Sequence, residues 1–375
     1  MIMDRSGIWD IIDNYDMDNI HIGTLGGHSA LDICSGAKKL GFKTVVVCRK
    51  GREKTYENYY RSREGRGCVD DILLLNRFSD VLREENIKKL RELNTIFIES
   101  RYLWVYFEHN RAEEELSIPV FGNRSLLKTE ERDVHPNQYD FLDHAGIRTP
   151  KRFHPGSIDR LCIVKAPEAF RGYERGFFFA DSHDNYMERA RGLVDNGRIK
   201  KGELDKAVIE EYVLGAQVNF NFFYSPISEE LEIMGTDMRR QTNLDGILRL
   251  PAGEQMNVLK HESVKYVETG HVACTVKESL LEKTFDAGER FVSTMKREMF
   301  PGIIGPFALQ GAVTPGPPEE ELVVFDVSMR IPGSPGIAFT PYTGYLYGRS
   351  LGYGERISME IKNALEKGRI KEVIT

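Results

Sequence analysis

Along the first 120 residues, two kinds of hydrophobic pattern take turns: one is typical of strands and the other of helices. Short runs of β-branched and other apolar residues, typical of strands buried on both faces, are separated by segments with helical spacing. The apolar runs are HIGTL (21–25), KTVVVC (43–48), DILLL (71–75), TIFI (95–98) and IPVF (118–121). Helices are predicted over residues 30–40, ended by Gly41, and over residues 80–93, capped by Ser79. This alternation predicts an α/β domain with an open parallel sheet.

The pattern changes near residue 124, and we place a domain boundary there. A helix is expected over residues 130–145, with its start near Pro136. The later apolar runs are short, and several form apparent hairpins. They are LCIVK (161–165), FFFA (177–180), VIEEYV (208–213), and the pairs 218–224 with 231–236 and 307–313 with 322–330. We therefore expect an α/β domain over residues 1–124 and an α+β region over residues 125–375.

Composition excludes several classes of protein. The 51 basic and 57 acidic residues are mixed along the chain and give a net charge of −6, so a nucleic-acid partner is not expected. No apolar run approaches the roughly 20 residues of a membrane helix, so no membrane contact is expected either. The five cysteines are scattered without a CxxC pair, which favours a reducing, cytoplasmic location.

The last predicted hairpin carries the most informative polar residues. Along its second strand Asp326, Ser328 and Arg330 share one face, and the first strand offers Gln310 opposite them. Carboxylate and amide oxygens suit Mg²⁺, and an arginine two pleats away suits phosphate oxygens. The alternative is a half-exposed strand whose Asp and Arg form a weak surface pair.

A second candidate begins at Lys165, at the end of a predicted strand. The loop that follows contains Arg171, Gly172, Arg175 and Gly176. A lysine supplies a point charge for phosphate, and glycines let the backbone approach closely. It is not a Walker loop, because GxxxxGK[ST] does not occur in the chain, and an ordinary charged hairpin is the alternative.

A third candidate is the segment Glu210, Glu211, Tyr212 and Val213. Successive strand residues point to opposite faces, so one of the two acids can point inward. An inward carboxylate could accept from a ribose hydroxyl while the adjoining backbone reads an adenine edge. A strand bordering solvent is the alternative.

The first strand-to-helix turn, TLGGHS, is the fourth candidate. Backbone N–H groups at a helix start attract anions, and His28 could add a donor. The turn lacks GxGxxG spacing, and a capping or packing role for His28 is the alternative. A weaker polar cluster of Asp237, Arg239, Arg240 and Asn243 predicts a loop over a pocket.

Taken together, these segments resemble the ATP-grasp enzymes, and more closely the archaeal formate-dependent FAICAR (5-formaminoimidazole-4-carboxamide ribonucleotide) synthetase family. The resemblance covers nearly the whole chain and rests on segments in a specific order. They are TLGGHSAL, KGR, LRELN, FGNR, AGIRTP, IVK, EEYVLG, FYSP, NLDG, ESLL, IGPFALQ and ELVVFDVSMR.

The resemblance implies an enzyme, a C–N bond-forming ligase. ATP would phosphorylate formate, and the 5-amino group of AICAR would attack formyl phosphate to give FAICAR in purine biosynthesis. It implies a homo-oligomer and Mg²⁺ or Mn²⁺ held by Gln310 and Asp326, with Arg330 catalytic. ATP would contact the residues of the second and third candidates. The implied substrate-side residues are His28, Tyr102, Asn243 and His271.

The chain departs from the family pattern at several positions. Residues 99–103 read ESRYL where a Pro-His-Gly-Ser-Phe segment is expected, and residues 269–271 read TGH where Thr-Gly-Asn is expected. The phosphate loop carries Tyr173 and Glu174 in place of glycines, Asp326 stands for Glu, and Ser328 stands for Asn. Two alternatives therefore stay open: a diverged ligase that joins another carboxylate to another amine, and a non-catalytic nucleotide-binding paralogue.

Overall fold

The computed structural model describes residues 5–107, 111–132, 134–165, 177–197, 199, 201–262, 264, 267–316 and 318–375, with the side chains at 104, 201, 203, 242 and 243 outside the description. The strands are β1 (His21–Leu25), β2 (Lys43–Arg49), β3 (Asp71–Leu75), β4 (Thr95–Ile98), β5 (Val120–Phe121), β6 (Arg152–Phe153), β7 (Cys162–Lys165), β8 (Phe177–Ala180), β9 (Val208–Glu211), β10 (Ala216–Ser225), β11 (Glu230–Gln241), β12 (Glu268–Cys274), β13 (Gly305–Thr314) and β14 (Glu321–Ser328).

Helices connect and cover these strands. They are α1 (Arg5–Asp13), α2 (Ala30–Lys39), α3 (Glu84–Glu92), α4 (Tyr102–Val105), α5 (Arg111–Glu115), α6 (Gln138–His144), α7 (His183–Asp195), α8 (Lys201–Leu204), α9 (Thr242–Ile247), α10 (Ala252–Val258), α11 (Glu278–Glu298), α12 (Tyr342–Tyr347) and α13 (Tyr353–Glu366). Among the helices that the structure describes, none is both long enough and apolar enough to cross a lipid bilayer.

The first sheet is parallel, with strand order β3-β2-β1-β4-β5. It confirms the predicted α/β architecture, and β1, β3 and β4 have the predicted bounds. Val45, Val47 and Phe97 are buried in this sheet, as expected for strands covered on both faces. The order reverses between β1 and β4, and in open parallel sheets ligands bind at the carboxyl ends of the strands at such a reversal.

Two predicted helices begin later than expected. The segment over residues 80–93 is divided into a 3₁₀ turn over Phe78–Leu82 and α3, which begins at Glu84. The carboxylate of Asp80 accepts from the backbone N–H of Arg77, so Ser79 lies inside the turn and caps no helix. The helix expected over residues 130–145 is α6, which begins only at Gln138 because Asn137 and Asp140 form a capping box.

The second sheet is antiparallel, with order β12-β11-β10-β13-β14, and α11 packs on one face. Phe222, Phe291 and Phe307 are fully buried between them, with Phe222 and Phe307 stacked at 5.0 Å. Both predicted hairpins are confirmed, since β10 pairs with β11 and β13 with β14. The third sheet, β6-β9-β7-β8, is covered by α7. The antiparallel sheets confirm the α+β architecture of the later chain.

Helix α13 crosses α2 at a pair of glycines. A Cβ on Gly36 would lie 2.0 Å from the carbonyl carbon of Gly354, and one on Gly354 would lie 2.0 Å from the carbonyl oxygen of Asp32. Asp32 also accepts a 3.1 Å hydrogen bond from the backbone N–H of Gly354. Ile33 and Ile357 are buried in the same core. A late helix is therefore part of the packing around the first sheet.

Candidate active site

All three sheets contribute to one cavity of about 800 Å³. The turns after β1 and β4 supply His28 and Tyr102, β7 of the third sheet supplies Lys165, and the second sheet supplies Gln310 and Asp326. The volume lies within the range of small-molecule sites. Residues from distant parts of the chain therefore face a common space.

The topology of the first sheet explains why His28 and Tyr102 lie near each other. They follow β1 and β4, the neighbouring strands at which the strand order reverses. Tyr102 packs directly on the turn, because a Cβ on Gly27 would lie 2.0 Å from its ring. Ser29 donates from its hydroxyl to the carbonyl of Pro332 at 2.9 Å. The turn proposed as an anion site is therefore covered by an aromatic ring.

Lys165 and Glu210 form a buried ion pair at the other end of the cavity. The Nζ of Lys165 lies 2.6 Å from one oxygen of Glu210, and the hydroxyl of Tyr139 donates to the other oxygen. Burial lowers the pKa of Lys165, and the neighbouring Glu210 opposes that shift. Apolar side chains line the space around this pair: Ile163, Phe177, Phe179, Tyr212 and Phe325. The arrangement forms an apolar pocket that suits a planar aromatic ring beside a positive charge.

The two acids of the third candidate do point to different environments. Glu210 is buried, with 1% of its side chain exposed, whereas Glu211 is partly exposed. An oxygen of Glu211 accepts from the backbone N–H of Lys151 at 3.2 Å. The prediction of one inward carboxylate is confirmed, and that carboxylate is engaged by Lys165 and Tyr139.

Gln310 and Asp326 are direct cross-strand partners, as predicted from the hairpin. Arg132 donates to Asp326 at 3.1 Å, and Arg239 donates to the amide oxygen of Gln310. The amide nitrogen of Gln310 donates to Ser328 at 2.8 Å, which leaves its oxygen toward the arginine. A hard-oxygen pair facing a cavity fits Mg²⁺, which would take the place of guanidinium charge there.

Arg330 lines the cavity, but the prediction that it lies on the same strand as Asp326 is wrong. Strand β14 ends at Ser328, so Arg330 lies two residues beyond the strand. The Nε of Arg330 lies 3.6 Å from Glu130 and has no hydrogen-bond partner among the described residues. A buried guanidinium with an unsatisfied donor fits an anionic ligand.

The end of the cavity near the turn after β1 contains a cluster of two histidines and two acids. His271 is hydrogen-bonded through one ring nitrogen to Asp237 and through the other to Glu268, at 3.0 Å for the second contact. Burial would lower the pKa of His271, but these two carboxylates raise it to about 9. The Nε2 of His28 lies 3.7 Å from Glu268, and burial lowers the pKa of His28. Asp237 is 1% exposed.

The structure brings together most of the residues singled out in the sequence. Those that line the common cavity are His28, Tyr102, Lys165, Glu210, Glu211, Tyr212, Val213, His271, Gln310, Asp326 and Arg330. Arg171, Gly172, Arg175 and Gly176 lie outside the described residues, and so does the side chain of Asn243. Their assigned roles stay predictions.

Glu268 and Arg132 line the cavity but were not identified as functional candidates from the sequence, whereas Asp237 and Arg239 were named as candidates but assigned to the wrong element. Glu268 begins β12, three residues before His271, and this spacing was the available signal. Asp237 and Arg239 were expected in a loop, and that expectation is wrong, because both lie on β11. Arg132 follows a 3₁₀ turn and carried no local pattern.

Comparison with known proteins agrees with this architecture. A domain of unknown function (DUF1297) matches residues 185–375, and a protein family of unknown function (DUF1246) matches residues 22–153. A 5-formaminoimidazole-4-carboxamide-1-(beta)-D-ribofuranosyl 5'-monophosphate synthetase from Methanopyrus kandleri is 38% identical over 376 residues, which cover 100% of both chains.

Solved structures agree as well. The IMP biosynthesis protein PurP from Thermococcus kodakaraensis is 27% identical with a TM-score of 0.70, covering 94% of this chain and 100% of that chain. A purK N5-carboxyaminoimidazole ribonucleotide synthetase, solved as an ADP complex, is 14% identical with a TM-score of 0.56, covering 90% and 78%. The fold is that of the ATP-grasp ligases. The chain belongs to the FAICAR synthetase family of these ligases.

Proposed function

We propose that the protein uses ATP to join formate to the 5-amino group of AICAR. The proposal is supported most directly by the 38% identity, over the full chain, to a protein that carries the synthetase name. The cavity supports it too, because a lysine, a buried arginine, an oxygen pair and a histidine face one common space. A ligase that consumes ATP and makes a purine precursor would work in the cytoplasm.

The chemistry requires two successive transfers. A formate oxygen attacks the γ-phosphorus of ATP, which gives formyl phosphate and ADP. The amine of AICAR then attacks the formyl carbon, the C–O bond to phosphate breaks, and the amine loses a proton, so that FAICAR and phosphate result. Formate becomes a useful acyl donor only after phosphate provides the leaving group.

The nucleotide would occupy the end of the cavity that Lys165 and Glu210 form. The adenine would lie among the aromatic side chains there, with Glu211, Tyr212 and Val213 beside it, and the loop of residues 171–176 would approach the phosphates. Gln310 and Asp326 would hold Mg²⁺ or Mn²⁺, which when bound neutralises charge on the transferred phosphoryl group. Arg330 would contact the same group through its unsatisfied Nε.

The amine substrate would occupy the end that contains His28, Tyr102, His271 and Asn243. We propose that residues 1–124 supply the turns at this end and that residues 125–375 supply the nucleotide and metal contacts. Assembly into a homo-oligomer is part of the same proposal, and light scattering of the purified protein tests it.

One observation favours a second candidate, a ligase for a different amine. Tyr102 covers the turn at Gly27, and Arg101 is paired with Glu130 at 3.2 Å and with Glu131 at 2.7 Å. An aromatic ring and a neutralised arginine at this turn leave less positive charge for a phosphate monoester. An amine substrate without a phosphate group does not need that positive charge and would bind there more readily than a phosphate monoester.

ADP release by the purified protein tests the proposal. ATP and Mg²⁺ are supplied with AICAR and formate together, and each is then omitted singly. The proposal predicts that ADP and FAICAR appear in equal amounts only when both are present.

ADP release with other pairs of acid and amine, together with no ADP release with AICAR and formate, would establish the second candidate. Binding of ATP without turnover under any pair would contradict both candidates and identify a nucleotide-binding protein. The variant Lys165→Met, compared with Lys283→Met at an exposed position, separates turnover at this site from a contaminating ATPase.

A further inference from the structure

His28, Glu268 and His271 form a compact set of metal-ligand side chains at the end of the cavity near the turn after β1. One donor atom from each lies within 4.8 Å of the other two. One oxygen of Glu268, Oε1, lies 3.0 Å from Nε2 of His271 and 3.7 Å from Nε2 of His28. The oxygen pair of Gln310 and Asp326 does not include any of these residues.

We propose that these three side chains bind a transition-metal ion such as Zn²⁺. Two imidazole nitrogens and one carboxylate oxygen are the donor set of many zinc sites, whereas Mg²⁺ prefers oxygen ligands alone. Tetrahedral bonds of about 2.1 Å place donor atoms roughly 3.4 Å apart. Small movements of the side chains therefore bring all three donors onto one ion.

The surrounding hydrogen bonds support this assignment independently of the three ligands. A metal-bound histidine commonly donates its other ring nitrogen to a carboxylate, which orients the ring. His271 has this arrangement, because its Nδ1 is bonded to the buried Asp237. Asp237 is itself held by Asn219 at 3.0 Å and by Asn221 at 2.6 Å.

The other two ligands are also held in place. The second oxygen of Glu268 lies 3.3 Å from Nε of Arg239, which leaves Oε1 directed to the histidines. His28 lies against Gly333, where a Cβ would be 1.3 Å from its Nε2. A side chain at residue 333 would therefore occupy the position of the donor atom.

The open side of the site faces the cavity. A metal held by three protein ligands keeps a fourth position for water or for an anionic oxygen. A small carboxylate is the class of ligand that fits this position, since it supplies one anionic oxygen without bulk. On binding, the ion replaces the proton on Nε2 of His271, and that proton passes to solvent. This assignment goes beyond the proposed ligase activity and does not depend on it.

Metal binding to the full chain, without ATP or substrate, tests the assignment. Protein freed of metal by a chelator is titrated with Co²⁺ alone, followed by its visible absorption, and with Zn²⁺ alone, followed by equilibrium dialysis. We expect one ion per chain and the strong visible bands of tetrahedral Co²⁺.

Variants of the ligands make the test specific. His271→Asn keeps a donor toward Asp237 but removes the metal-binding nitrogen, and it is expected to weaken binding more than about a hundredfold. Asp237→Asn is expected to weaken it by about 10- to 100-fold through the orientation of His271. Gly333→Ala changes no ligand yet is expected to weaken binding, because it displaces His28. The control His154→Asn, at an exposed position outside the cavity, should bind like the wild type.

Two results would overturn the assignment: no stoichiometric binding, or binding that His271→Asn and Gly333→Ala leave unchanged. The second result would show adventitious surface binding. Circular dichroism of each variant separates a lost ligand from a lost fold. Neither result bears on the ligase proposal, because ADP release is measured separately with Mg²⁺ present.

Discussion

At Asp326, guanidinium groups from two elements approach one carboxylate, at 3.1 Å for Arg132 and 3.8 Å for Arg239. The same Arg239 donates to the amide oxygen of Gln310. One carboxylate and one amide are a sparse ligand set, so the phosphates of ATP would complete the coordination of Mg²⁺. Tight Mg²⁺ binding is therefore expected only with the nucleotide present.

Replacing Asp326 with Asn removes the single negative charge of this oxygen pair. We expect Mg²⁺-dependent ADP release to fall by about a hundredfold or more, while the fold is kept, because the side chain is only partly buried. Steady-state rates over a range of Mg²⁺ concentrations measure the effect. Asp286→Asn, on the exposed face of α11, is the matched control. Full activity in Asp326→Asn would contradict the metal assignment.

The buried carboxyl group of Glu99 is expected to make the stability of the protein depend on pH. Glu99 follows β4, and burial raises its pKa to about 7, with Arg124 opposing the shift. The unfolded chain ionises this group near its ordinary pKa, so the folded protein binds the extra proton between those values. Stability from this group is therefore lost as the pH rises from about 4.5 to 7.

The variant Glu99→Gln should not lose this contribution to stability as the pH rises, because its amide stays neutral at every pH in this range. The unfolding free energy of the variant, relative to the wild type, should increase by about 2–3 kcal/mol between pH 5 and pH 8. Urea unfolding at the two pH values measures it. An equal difference at both values would show that Glu99 does not retain a proton in the folded state.

At the scale of elements, the crossing of α2 and α13 depends on close contact between two backbones. Gly36→Ala places a methyl group against the carbonyl carbon of Gly354, so the helices must separate. We expect a loss of about 1–3 kcal/mol in unfolding free energy, although alanine favours a helix by about 1 kcal/mol.

Gly192→Ala is the matched control for this change. Gly192 lies inside α7, and a Cβ there would meet no atom within 4 Å. The helix propensity of alanine then acts alone and should raise stability by up to about 1 kcal/mol. Thermal unfolding of both variants checks the pair, and equal effects would contradict the proposed crossing contact.

Strands were easier to predict than helix starts. The apolar runs of β3 and β4 are bounded by polar residues at both ends, and that of β1 is followed by two glycines, so these bounds follow from the sequence. The start of α6 depends on reciprocal bonds between Asn137 and Asp140, which compete with other possible caps nearby. The register shift at Gln310 depends on the partner strand, so it was not visible in the sequence of β14.

At the scale of the whole molecule, the site was predictable where a pattern is local. His28 follows a strand at a turn, and Gln310 faces Asp326 across a hairpin, so spacing alone indicated them. The contacts of Glu268 and Asp237 with the two histidines form only when β11, β12 and the turn after β1 come together in the fold. These are tertiary contacts between distant segments, and the spacing of residues in a single sequence does not reveal them.

Nucleotide binding should stabilise the whole molecule. A ligand at 100 times its Kd adds about 2.7 kcal/mol to the unfolding free energy, so ADP with Mg²⁺ should raise the Tm by several degrees. Lys165→Met should abolish the shift, whereas Lys283→Met, at an exposed position, should keep it. A scanning fluorimetry series over ADP concentration measures both. Equal shifts in the two variants would place the nucleotide elsewhere.

The crossing of α2 and α13 also has a consequence for biosynthesis. The two helices are separated by about 320 residues, so a ribosome adding 5–20 residues per second needs roughly 15–60 s to supply the second after the first. During that interval Ile33 and its apolar neighbours lack their partner. Nascent chains would therefore expose this apolar surface until α13 is synthesised, and ribosome pausing between the two helices would lengthen the exposure and favour aggregation.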